Sequence, residues 1–171
     1  MKQLYLLRHA KSSREAHDGA DFDRPLAKRG RLAARLVDAY CRGQGIAAGL
    51  VLCSPSRRTR ETLELLPATV GRNTRVRFEP ALYLAEAADL LAELRTAPDD
   101  EDSILLIGHN PGLQELGLAL AKQPQSLRKR LAEKFPTAAL ACLDADLDHW
   151  AELRPGACVL RCYVTPAELP A

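Results

Sequence analysis

Apolar positions along the chain follow two alternating rhythms. Short runs of strand character, Leu4 to Leu7, Leu50 to Cys53 and Ile104 to Ile107, are separated by segments of helical period. Alternation of this kind predicts an α/β domain on a mostly parallel sheet, because each parallel pair needs a crossover helix. One helix is predicted over Lys28 to Arg42, with Leu32, Leu36, Val37 and Tyr40 on its inner face. Ser54-Pro55 reads as a cap and first-turn proline for a helix turning Thr59, Thr62, Leu63 and Leu66 inward. Arg75 to Phe78 is a weaker strand, and Ala87, Leu90, Leu91 and Leu94 form the next helical stripe. Asn110-Pro111 repeats the cap-and-proline start ahead of Leu113, Leu116, Leu120 and Ala121. Ser126 to Lys134 is a short basic amphipathic helix with a solvated face, and Ala138 to Leu143 and Cys158 to Val164 are the last strands. No repeat or long linker divides the sequence, so one three-layer α/β/α domain over residues 1–171 is expected.

Composition narrows the function without naming it. A chain of 171 residues can bury roughly 70% of its unfolded surface, enough for its own core. Its 24 basic and 22 acidic residues leave a formal charge of +2, too little for a dedicated nucleic-acid binder. The opening MKQLYLLRHA is too short an apolar run for a signal peptide, and no stretch reaches membrane-spanning length. Cys41, Cys53, Cys142, Cys158 and Cys162 read as reduced, mostly buried thiols, which places the expected location in the cytoplasm. Among the histidines no pair has metal-ligand spacing, so neither a metal nor another cofactor is expected, and His17 and His149 read as residues without a catalytic role. Gly43 to Ala48 matches a dinucleotide-type glycine pattern, but it follows a helix and precedes a strand, the wrong order for that turn. Cys53 lacks the arginine six positions on that a cysteine phosphatase loop needs; Thr59 stands there.

The chemistry is expected where three polar clusters directly follow predicted strands: Arg8-His9, Ser54 to Thr62, and Gly108-His109-Asn110. In a parallel sheet the carboxyl ends share one edge, so His9 and His109 can meet there. A helix start rich in arginine joins them, and together these groups make a phosphate pocket.

The strings LLRHAKS, SPSRRTRET and GHNPGL resemble the three catalytic segments of the histidine phosphatase superfamily, with Ala10 where the family signature has glycine. DRPLAKRG at Asp23 to Gly30, KFPTAALACL at Lys134 to Leu143 and Val164-Thr165-Pro166 resemble the short SixA-type phosphohistidine phosphatases. The resemblance implies a phosphoglycerate mutase-like fold and His9 as nucleophile, carrying the phosphoryl group on a ring nitrogen until water removes it. It further implies phosphate binding by Arg8 and Arg58, with Arg57 and Arg60 as alternatives, and a pocket completed by His109. Ser12 is a candidate hydroxyl contact or a plain loop serine. Glu79, Glu86, Asp21 and Asp23 are the carboxylates available as a general acid, each also readable as a surface group. The expected substrate is a phosphorylated protein bearing phosphohistidine, acted on by a monomeric enzyme without metal. The alternatives are a small phosphorylated substrate, as for a metabolite phosphomonoesterase, or a non-catalytic phosphate-binding domain.

Overall fold

The computed structural model describes residues 1–15 and 19–171; His17 lies outside them. The strands are β1 (Lys2–Arg8), β2 (Leu50–Cys53), β3 (Arg75–Phe78), β4 (Ser103–Gly108), β5 (Ala121–Gln123), β6 (Leu140–Ala145) and β7 (Cys158–Val164). The helices are α1 (Lys28–Gly43), α2 (Arg57–Glu64), α3 (Ala87–Leu94), α4 (Gly112–Leu120) and α5 (Gln125–Glu133). One sheet runs β3-β2-β4-β1-β6-β7-β5. The β3–β2, β2–β4, β4–β1 and β5–β7 pairs are parallel, and β6 is antiparallel to both its neighbours.

The strands at the centre are apolar on both faces, as strands covered on both sides must be. Leu4, Leu6, Leu52 and Leu106 face Leu90, Leu94, Leu113, Leu116 and Leu131 of α3, α4 and α5. Tyr5, Leu7, Val51, Leu105 and Ile107 face Val37 and Cys41 of α1. These two cores make the three layers that the alternating pattern predicts.

Three expectations change. Helix α1 turns Gly30, Ala34, Val37, Asp38 and Cys41 inward and leaves Leu32 at 54% exposure. The leucine-centred stripe is rotated from the true inner face, because small residues let α1 lie close to the sheet and the adjoining loop. A Cβ at Gly30 would stand 2.1 Å from the Lys11 carbonyl oxygen. Second, α2 starts at Arg57 behind Ser56 and α4 at Gly112 behind Pro111, so neither Ser54 nor Asn110 is the cap, and Ala121 begins β5 instead of closing α4. Third, Cys142 and Cys162 are opposed across the antiparallel β6–β7 pair, with Cα atoms 5.0 Å apart, and form a disulfide. The reading as free thiols holds for Cys41, Cys53 and Cys158 only; strand pairing, which brings Cys142 and Cys162 together, is not legible from their spacing. The three-residue strand β5 has no apolar alternation to announce it.

Candidate active site

Strands β2, β4 and β1 lie side by side and parallel, with Cys53 opposite Ile107 and Gly108 opposite Arg8. The residues that follow them therefore emerge at one level of one edge. His9 and His109 face each other there, with ring centroids 5.3 Å apart, and Ser54 and Arg58 arrive from the neighbouring β2–α2 connection.

Hydrogen bonding fixes the proton on each ring. His9 Nδ1 lies 2.8 Å from the Ala10 carbonyl oxygen, which only accepts, so Nδ1 carries the hydrogen. Its Nε2 receives Arg58 Nε–H at 3.3 Å and thus presents a lone pair to the pocket. His109 is held the other way round: Arg58 Nη2 donates to Nδ1 at 3.3 Å, and Nε2–H donates to Ser54 Oγ at 2.8 Å. Burial pushes the His9 pKa down to about 4, with Arg58 and Arg8 adding to the effect against the Ala10 hydrogen bond. His109 falls to about 3, first through burial and then through His9 and Arg58. Both rings are uncharged at neutral pH.

Arg58 is the one of three neighbouring arginines that turns inward. It is 3% exposed, whereas Arg57 pairs with Glu61 on the outer side of α2, and Arg60 lies over the Phe78 ring with its Nε on the Pro55 carbonyl. Thr62 joins this helix to the first cluster, accepting from the Ala10 N–H at 3.0 Å and donating to the Arg58 carbonyl at 2.7 Å. Arg8 enters from the other side. Its Nη1 donates to the Phe135 carbonyl, while its Nε is buried without a partner among the described residues. Burial, followed by the charge of Arg58, lowers the Arg8 pKa. Ala138 adopts φ 60°, and its N–H reaches the carbonyls of both Arg8 and His9. Positive φ is costly for alanine, and here it closes the backbone under the catalytic strand.

Of the four candidate carboxylates only Asp21 faces the pocket. It accepts from Arg58 Nη2 at 3.0 Å through its side chain and from Arg58 Nη1 at 2.7 Å through its carbonyl. The Tyr83 hydroxyl donates to the same carboxylate at 2.5 Å. That hydrogen bond is the largest influence lowering the Asp21 pKa to about 2; Arg24 and Arg58 reinforce it against partial burial. Glu79 pairs with Arg77, Glu86 is the exposed residue before α3, and Asp23 is exposed without a contact to the pocket. Ser12 is buried where its backbone pairs with Leu26, and its hydroxyl bonds to none of the pocket side chains.

The sequence pattern therefore brings Arg8, His9, Arg58 and His109 together. Two contributors escape it. Ser54 fits a helix-cap pattern equally well, and only the register of β2 against β4 puts its hydroxyl on His109. Tyr83 lies in a segment scanned for carboxylates, with its ring edge-on to His109 at a centroid distance of 5.4 Å. Cys53 is fully buried, and burial pushes its thiol up to about 12, which removes thiolate chemistry. His149 lies far off, exposed and paired with Asp99. Among the described residues no cluster of three His, Cys, Asp or Glu side chains is arranged to hold a metal.

Comparison with known proteins agrees with this geometry. The family model for the histidine phosphatase superfamily (branch 1) matches residues 4–86. The uncharacterized protein Rv1276c of Mycobacterium tuberculosis is 35% identical over 164 residues, 94% of this chain and 99% of the relative. A Nakamurella multipartitia structure described as a candidate phosphohistidine phosphatase SixA superposes with a TM-score of 0.83 at 29% identity, covering 96% of each chain. The corresponding Agrobacterium tumefaciens protein gives 0.81 at 25% identity, over 96% of this chain and 98% of that one. The chain belongs to the histidine phosphatase superfamily and has its phosphoglycerate mutase-like fold. Within that superfamily it falls in the SixA-type branch, and it is a phosphatase.

Proposed function

We propose that the chain is a metal-independent protein phosphohistidine phosphatase with His9 as nucleophile. One observation carries the reading: a neutral imidazole whose Nε2 lone pair is held, by the Nδ1–H bond to Ala10, toward the Arg58 guanidinium. In the first step that lone pair attacks phosphorus and forms a P–N bond. The substrate P–N bond breaks, and its electron pair stays on the departing imidazole nitrogen, which takes a proton from water. In the second step water attacks phosphorus, its proton neutralises the hydroxide left by the first step, the electron pair returns to His9 Nε2, and inorganic phosphate leaves. Arg8 and Arg58 neutralise the phosphoryl oxygens, supplying the positive charge that a metal provides in other phosphatases. In the free pocket His109 Nδ1 accepts from Arg58; it becomes a donor to the phosphoryl group when the ring gains a proton or when Ser54 Oγ–H donates to Nε2 and the hydrogen sits on Nδ1.

The ionised state of Asp21 favours a phosphoramidate over an alkyl ester. With a pKa of about 2 it has no proton to give an alkoxide at neutral pH, and a P–N bond needs less help. The SixA descriptions of the Nakamurella and Agrobacterium neighbours support the same substrate class.

The test is turnover of phosphoramidate and of a phosphohistidine protein in EDTA, beside sugar and nucleotide monophosphates. Faster hydrolysis of the two P–N substrates and an acid-labile phosphoenzyme absent in His9→Ala are expected. Far better hydrolysis of the monophosphates transfers the function to a metabolite phosphatase. Phosphate binding without any phosphoenzyme leaves a binding domain.

A further inference from the structure

We infer that the outer face of the first half of α1, together with the cleft beside it, is the docking surface for an acidic region of the phosphorylated protein. This rests on the reading of the substrate as a protein. The phosphate pocket contacts only a phosphoryl group and its immediate surroundings, so selection of a macromolecule needs surface elsewhere.

Two adjoining cavities mark that surface. One, of about 460 Å³, is lined by Lys11, Arg29 and Lys134 together with uncharged residues. The other, of about 500 Å³, shares Arg29 and adds Lys28, Arg31, Leu32 and Arg35. No carboxylate lines either cavity. Arg31 pairs with Glu61, but Lys11, Lys28, Arg29, Arg35 and Lys134 enter no ion pair among the described residues. Elsewhere Arg57, Arg75, Arg77, Arg130 and Arg161 each sit against a carboxylate. In a chain of net charge +2, these five cations without an ion pair adjoin one another on one face, around two cavities that no carboxylate lines.

Leu32 stands in the middle of it, 54% exposed. An apolar side chain ringed by unpaired cations is the composition of an interface with an acidic protein surface. The face is also fixed relative to the chemistry. The Ala27 N–H donates to the Lys11 carbonyl at 2.8 Å, and Gly30 packs directly on the same carbonyl. Lys11 lies two residues past His9, so a partner seated here is held beside the nucleophile. A second copy docked two-fold symmetrically through this face would meet the same positive charge, which sets that mode of self-association against the acidic partner.

The test uses two synthetic peptides with one phosphohistidine, followed by a run of glutamates or of glutamines, and the full chain at low salt. The acidic peptide is expected to show about tenfold higher kcat/KM, and Arg29→Glu/Arg35→Glu to erase that preference while phosphoramidate turnover stays within about twofold. Equal turnover of the two peptides, or a preference that survives in the double variant, overturns the docking surface and leaves the phosphohistidine reading intact. If neither peptide is cleaved while phosphoramidate or a monophosphate is, the protein-substrate reading fails. The surface is then judged by fluorescence anisotropy of the dye-labelled, unphosphorylated acidic peptide. Binding that the double variant abolishes supports it; absent binding, or tighter binding of an oligonucleotide of equal charge, overturns it.

Discussion

Strand β1 begins at a buried cation and ends at a half-buried one, and the two are compensated differently. At its start the Lys2 ammonium donates to the carbonyls of Asp99 and Glu101 and to the Asp102 carboxylate, and it lies 5.8 Å from the centroid of the buried Trp150 ring. Every proton of that ammonium has a partner. At its end Arg8 has one carbonyl and a buried Nε with none, and beside it Arg58 donates to two neutral histidines. The first end is complete within the chain. The second has two guanidinium groups against the one Asp21 carboxylate among the described residues, and an anion completes it. Incomplete compensation, more than burial or charge alone, separates the functional end of the sheet from the structural one.

The sharpest break of this comparison is His9→Ala, which removes the lone pair and leaves the surrounding cations. Turnover of phosphoramidate is expected to fall by about 10³-fold or more, with the circular dichroism spectrum unchanged. Residual activity within tenfold of the parent would falsify the assignment of the nucleophile.

Next in size is Arg58→Ala, for which a loss of about 10²–10³ in kcat is expected because a preorganised donor to the phosphoryl oxygens is gone. Arg57→Ala and Arg60→Ala should stay within about threefold, since each makes only exposed contacts. The contrast within one helical turn is the informative part. If Arg57 or Arg60 proves as damaging as Arg58, the inward orientation described here is not the one used in catalysis.

Acid titration probes the same end through stability. The two site histidines have folded pKa values of about 4 and about 3, below the unfolded value near 6.5. Between these limits the unfolded chain binds more protons, so stability rises with pH. The contribution is fully present above about pH 6.5 and is lost as pH falls through the folded values, on the order of 1–2 kcal/mol per histidine at pH 5. Urea denaturation at pH 7 and pH 5 measures it. His109→Gln should remove about half of the difference, and tungstate, whose charge lets His109 keep a proton, should reduce it as well. A pH-independent midpoint in the parent protein contradicts the uncharged state of the rings.

At the complete end the consequences invert. Lys2→Met leaves the Asp99 carbonyl without its side-chain donor and the Glu101 carbonyl with the Trp150 indole N–H alone, and is expected to cost about 1–3 kcal/mol of stability, with kcat unchanged at a temperature where the variant is folded. A drop in kcat without loss of stability would tie this end of β1 to catalysis.

The same contrast explains what the sequence made legible. Strand β2 has the predicted limits, and β1 and β4 extend only slightly beyond them, because a strand covered on both faces must be a short continuous apolar run; the edge strand β3, largely exposed, is announced only by the alternation of Arg75, Val76, Arg77 and Phe78. Arg8, His9 and His109 follow such runs directly, so the topology places them without tertiary detail. Arg58 needs the phase of α2, and three arginines within four positions hide it until the helix start is known. Ser54, Tyr83 and the Cys142–Cys162 pair depend on which strands are neighbours and on where a turn at Leu84, with φ 51°, directs the chain. Leu32 fails in the opposite direction: it fits the helical stripe, but the close approach of Gly30 to Lys11 rotates α1 and turns the leucine outward.

The smallest expected effect belongs to Asp21, the one carboxylate among the described residues at the incomplete end. It binds the outer edge of Arg58, through Nη1 and Nη2, while Nε and the inner side of Nη2 remain directed at the histidines. It therefore differs from the partners of Lys2, which use every proton of the ammonium. Asp21→Asn keeps an oxygen acceptor for Arg58 and exchanges a charge-assisted hydrogen bond for a neutral one, a difference of about 1 kcal/mol. On that basis kcat/KM for phosphoramidate should fall by less than about tenfold, and the shape of its pH profile should not change, since a group ionised above about pH 2 does not titrate in the working range. A loss of a hundredfold or more, greatest for esters with poor leaving groups, would instead make Asp21 the proton donor. The pocket would then be built for P–O cleavage as much as for P–N, and the carboxylate would belong to the chemistry in place of the frame that holds Arg58.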